Sequence, residues 1–153
     1  MGRVLVLRKI FRGAYFIRLA RFTDVEAFFS LSLAKFYNIV LPFRWYARSL
    51  GKRHSEGLFK PETKDVRRLI QLRRSVRRVA RHLPWHTKCL DQAMAVQWML
   101  SRRRLTTTMY FGVRKSEEMG KFIDAHAWVR CGDVYVIGYQ PDIEYTVVGS
   151  YVK

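Results

Sequence analysis

The hydrophobic period of this chain changes once, near Arg104, and that change limits its fold more than any other feature. Before it, apolar residues recur every three or four positions, as on one face of a helix. After it they alternate, as along a strand. Helices gathered early and strands gathered late exclude a repeating βαβ pattern and point to an α+β fold with an antiparallel sheet.

The helical part reads as several segments. Val6, Leu7, Ile10, Phe11, Ala14, Tyr15 and Ile17 form a stripe that predicts a helix over Leu5–Phe22. Thr23-Asp24 offers a cap for a second helix over Val25–Val40, which Pro42 should stop. Within it Ala27–Phe43 is apolar, but Ser30, Ser32, Lys35 and Asn38 interrupt it, and 17 residues are at the short limit for a bilayer span. An internal helix is expected, with an interfacial one as the alternative. Helix-forming residues continue to Gly51, and Gly51–Pro61 reads as a loop. Pro61 and Glu62 open a helix over Asp65–Leu83, coated with arginines and ended by Pro84. Leu90–Arg103 is a further helix with a broad apolar face. Strands are then expected over Thr106–Val113, Ala125–Arg130, Val134–Gly138 and Tyr145–Val152, with a hairpin turn at Cys131-Gly132-Asp133.

Charge follows the same division. Residues 1–88 carry 21 Lys+Arg against 5 Asp+Glu, and residues 89–153 carry 8 against 7. The net charge of +17 attracts polyanions, whether nucleic acid, an anionic membrane surface or an acidic peptide. The segment at 1–11 alternates apolar and basic residues and has no continuous apolar core, so no secretory signal is expected. A cytoplasmic protein is expected, peripheral at the inner face of the membrane if it touches lipid. Two cysteines do not make a disulfide scaffold, and no CxxC or HxxxH knuckle suggests a metal site. No cofactor is expected.

Cys89 stands at the start of a helix, where free amides and the helix dipole favour a thiolate. His126 lies on a strand in Ala125-His126-Ala127-Trp128-Val129 and is the residue type that moves protons near neutral pH. Together they make a candidate nucleophile and base. Both also suit ordinary positions in a core, and the spacing alone leaves the two readings open.

Leu83-Pro84-Trp85, Thr87-Lys88-Cys89-Leu90, Tyr110-Phe111-Gly112-Val113 and His126-Ala127-Trp128-Val129 occur in that order. This arrangement, over roughly residues 65–145, resembles the transglutaminase-like cysteine peptidases of lasso-peptide biosynthesis. Those enzymes remove the leader from a ribosomally made precursor. The resemblance implies a papain-like core over residues 61–153, preceded by a basic helical region over 1–60. It implies Cys89 as nucleophile and His126 as base, with Trp85 and Trp128 shaping the substrate cleft. Core packing is the alternative for Trp128. The family usually places an Asp about a dozen residues after the His, and here that position is Gly138. Asp142 is the first choice for the third member. Asp133, the Gln140 amide, a backbone carbonyl or no third group are the others. The implied partners are the precursor leader peptide, a separate leader-recognition protein and an ATP-dependent lasso cyclase. No specific nucleic acid is expected. The arginine helix, through Arg73, Arg77 and Arg81, and the N-terminal helices are expected to form the docking surface for the leader-recognition protein or for the leader, with a solvated charged face as the alternative. The rival functions are nucleic-acid binding without catalysis and acyl transfer on the same fold.

Overall fold

Proline and helix-capping chemistry set the limits of the first half of the fold. The computed structural model describes residues 22–53, 60–116 and 121–153. The helix expected over Leu5–Phe22 lies outside them except for Phe22. Helix α1 spans Phe22–Val40 and ends just before Pro42, and α2 spans Phe43–Tyr46, followed by a 3-10 turn at Ala47–Leu50. Thr23 and Asp24 are inside α1, not capping it. Asp24 is buried against the next long helix, α3 (Thr63–His82), where Ser75 donates to it and Arg78 forms an ion pair at 2.8 Å. In α3 Leu69, Leu72, Val76 and Val79 form the buried stripe. Its start is fixed by Asp65, whose carboxylate accepts the Glu62 N–H at 3.2 Å. Helix α4 runs Cys89–Arg102.

A five-stranded antiparallel sheet follows, in the order β1-β5-β2-β3-β4. Its strands are β1 (Lys52–Arg53), β2 (Thr108–Lys115), β3 (Ile123–Cys131), β4 (Val134–Ile137) and β5 (Thr146–Val152). β1 corrects the expected loop over Gly51–Pro61. Its two residues are too few to show a period, and they are extended because Lys52 pairs with Val152 and Arg53 with Tyr151.

Helix α4 lies between the sheet and the other helices. Met94, Val96, Met99 and Leu100 are fully buried, and they join one hydrophobic core with Leu31 of α1, Leu69 of α3 and Val129 of β3. Leu50 belongs to it as well, so residues on both sides of position 60 share it. Gln97, buried within α4, donates to the Tyr151 carbonyl at 2.9 Å and ties the helix to β5.

Three of the four polar residues that interrupt the apolar run of α1 meet partners on α4, while Ser32 donates to the Phe28 carbonyl of its own helix. Arg102 donates to Ser30 at 2.9 Å. Asn38 donates to Asp91 at 2.6 Å, and Lys35 lies 3.8 Å from the same carboxylate. None of the described helices is long and apolar enough to cross a membrane.

Candidate active site

Asp91 places the first residue of α4. Its buried carboxylate accepts the Lys88 N–H at 2.8 Å, while Asn38 and Lys35 hold it from α1. The turn before α4 is thereby closed, and Cys89 becomes the first helical residue. Its own N–H is one of those a helix leaves without an internal partner.

The opposite wall comes from β3 and the end of β4. Ala127, Val129 and Cys131 of β3 face the core, and His126 and Trp128 alternate with them. The β3–β4 ladder runs only as far as Val129↔Ile137. The Ala127 amide is therefore beyond the reach of β4, and it hydrogen-bonds the Cys89 sulfur. So do the His126 ring and the Leu90 amide.

His126 is fixed from several directions. Its Nε2 lies 2.6 Å from the Gly138 carbonyl oxygen. A carbonyl only accepts, so Nε2 carries the proton, and Nδ1 is left to face the thiol. The ring stacks on Tyr145, with centroids 5.1 Å apart, and lies beside Trp128 at 6.2 Å. Trp128 in turn stacks on Tyr110 at 5.7 Å. Gly112 sits opposite His126 on β2, and a Cβ there would come within 2.7 Å of the Trp128 ring and of Tyr145. The aromatic layer needs that missing side chain.

Burial pushes the Cys89 thiol up. The hydrogen bond from His126, the Ala127 amide, the imidazole charge and the Leu90 amide together outweigh it and hold the thiol below its ordinary value. The hydrogen bond to Cys89 raises His126 above its ordinary value, against burial, with help from the Gly138 carbonyl and the thiolate charge. Both shifts favour a thiolate–imidazolium pair. Cys131 is the contrast. It is buried in the core, and burial, with the charge of Asp65, pushes its thiol up to about 11.

A cleft of about 260 Å³ opens over the pair, lined by Arg77, Gln92, Ile137, Tyr139 and Gln140 besides Cys89, His126 and Gly138. The other expected site residues lie elsewhere. Asp142 is exposed in the turn before β5, and Asp133 pairs with Arg130 at 3.2 Å in the β3–β4 hairpin. Trp85 packs near Phe28 of α1, at 6.3 Å between centroids, and Trp128 lies in the aromatic layer behind His126. Neither tryptophan lines the cleft. Among the described residues no group of three or more His, Cys, Asp or Glu is placed to hold a metal.

A helix that begins with cysteine, packed on an antiparallel sheet that presents a histidine, agrees with the family comparison. Residues 38–150 match the model of the transglutaminase-like superfamily. The chain belongs to that superfamily. Its match takes in α2, α3, α4 and nearly all of the sheet, so the Cys89–His126 pair lies well within the superfamily domain. Comparison with curated proteins and with solved structures gives no match. The superfamily membership fits a cysteine peptidase or an acyltransferase in general.

Three contributors were not anticipated from sequence. In sequence Tyr145 reads only as the start of a strand, and Gly112 only as part of a motif. Arg77 reads in sequence as part of a docking surface, and the structure places it at the cleft.

Proposed function

We propose that this transglutaminase-like protein is a cysteine peptidase that removes the leader from a ribosomally made lasso-peptide precursor. A cleft that brings Cys89 together with a His126 ring already held by the Gly138 carbonyl is the observation that carries the reading. The Cys89 thiolate attacks the carbonyl carbon at the leader–core junction, and the resulting oxyanion faces the Cys89 backbone N–H at the helix start. His126 gives its proton to the amide nitrogen, the C–N bond breaks, and the core leaves as an amine. Water, deprotonated by His126, then hydrolyses the leader thioester and frees Cys89. In this dyad the Gly138 carbonyl, and not Asp142, keeps the imidazole in its working tautomer. Trp128 supports the ring from behind.

The leader-recognition protein docks on the outer face of α1. Phe29, Phe36 and Ile39 are exposed there at 65%, 53% and 71%. Both carboxylates of α1 are turned away from it, Asp24 to Arg78 and Glu26 to Arg102 and Arg103. The lasso cyclase takes the freed core.

The test is to incubate the protein with precursor and recognition protein and follow the leader by mass. Release of the leader as a free acid, lost in Cys89→Ala and in His126→Ala, is expected. Phe29→Ser with Phe36→Ser should lose the acceleration given by the recognition protein and keep the unassisted rate. Cleavage that survives Cys89→Ala contradicts the assignment. A leader recovered as an amine adduct identifies acyl transfer instead.

A further inference from the structure

The charge of the cleft is one-sided. Arg77 of α3 lines it beside Cys89 and His126, and the remaining lining residues are Gln92, Ile137, Gly138, Tyr139 and Gln140. Among the described residues no carboxylate lines the cleft. The buried carboxylate nearest in sequence to Cys89, Asp91, is committed to Lys88 N–H, Asn38 and Lys35. The first carboxylate after Gln140, Asp142, is in the exposed turn.

The guanidinium of Arg77 forms no ion pair with a described residue, and its backbone carbonyl accepts from Arg81, one turn further along α3. The neighbouring Arg78 is used differently: it is exposed, and its guanidinium is held by the buried Asp24 of α1. The walls of the cleft are also prepared for a polar chain. Tyr139 is fixed by stacking on Tyr135 at 3.8 Å, and Gln140 accepts from the Tyr145 hydroxyl at 3.1 Å through Oε1, which leaves its amide N–H groups for a ligand.

We propose that Arg77 makes this an acid-selective site, binding a carboxylate of the substrate within one side-chain length of the scissile carbonyl. The inference deepens the peptidase reading and rests on it for the identity of the substrate, a peptide with Asp or Glu beside the cleaved bond. A guanidinium with no ion pair among the described residues offers such a carboxylate a two-pronged contact that lysine does not match.

The test needs no peptide. Iodoacetate and iodoacetamide alkylate a thiolate by the same displacement of iodide, and only the first is anionic. The ratio of their rates at Cys89 reads the field of Arg77, while the iodoacetamide rate alone reads the Cys89–His126 pair. Arg77→Ala is expected to lower the ratio about five-fold; any change in the thiolate population scales both rates alike and cancels in the ratio. Arg77→Glu should lower it further, and 1 M salt should shrink the difference between wild type and Arg77→Ala. Arg67→Ala, an exposed change of equal charge near the start of α3, should leave the ratio alone. A ratio unchanged by Arg77→Ala, or lowered equally by Arg67→Ala, overturns the proposal. An iodoacetamide rate no faster than that of an ordinary thiol would instead count against the Cys89–His126 reading itself.

Discussion

Gly138 serves the site in two ways that a side chain would spoil. Its φ of +83° lies in the region that favours glycine, and a Cβ there would come within 2.5 Å of the Ala127 carbonyl. That conformation ends β4 and leaves the Gly138 oxygen on Nε2 of His126. Gly138→Ala is expected to cost about 1–3 kcal/mol of stability and to lower kcat/KM by about ten- to a hundred-fold. Thermal unfolding and steady-state kinetics measure the two effects. Gly149→Ala is the matched control, since a Cβ at Gly149 meets nothing within 4 Å, and it should change neither quantity much. Cys89 and His126 were legible in the sequence because a helix start and a strand histidine each have a residue-type signature. The orienting group was not, because a backbone carbonyl has none. Residue type therefore points to Asp142, with a backbone acceptor only among the alternatives.

At the scale of elements, α1 matters to the site without touching it. Asn38 and Lys35 hold Asp91, and Asp91 holds the Lys88 N–H just before α4, the helix that begins with Cys89. Asp91→Ala leaves the Lys88 amide and Lys35 without their acceptor and is expected to cost about 2–4 kcal/mol. Urea unfolding should show a lower midpoint with an unchanged slope. An unchanged midpoint would show that the carboxylate is not structural. The long elements were legible because each repeats its period several times: α3 and α4 by helical stripes, β2 and β3 by alternation. β1 was not, since its conformation comes from pairing with Val152 and Tyr151 at the far end of the chain. The partners of Ser30, Lys35 and Asn38 were hidden for a related reason. In sequence these residues only interrupt an apolar run, and their value comes from Asp91 and Arg102, more than fifty positions away.

Over the whole molecule, the net charge of +17 serves more than one purpose. Arg78, Arg102 and Arg103 hold the helices together through Asp24 and Glu26, and Arg77 faces the cleft. Such a division is invisible to a count of charges. The site itself exists only because three stretches of chain meet: the start of α4, the middle of β3 and the end of β4. Their meeting accounts for the central claim, that Cys89 and His126 are coupled, each favouring the charged form of the other. Because the thiol is lowered, the thiolate persists to lower pH than usual and is lost only as pH falls through that lowered value. Because the imidazole is raised, its charge persists to higher pH and is lost as pH rises through the raised value. The most direct test is the rate of Cys89 alkylation by iodoacetamide against pH, in wild type and in His126→Ala. In wild type, reaction should continue well below the midpoint of an ordinary thiol, about 8.5, and His126→Ala should move the profile up toward it. A wild-type profile that already matches an ordinary thiol, or one that His126→Ala leaves in place, would contradict the account.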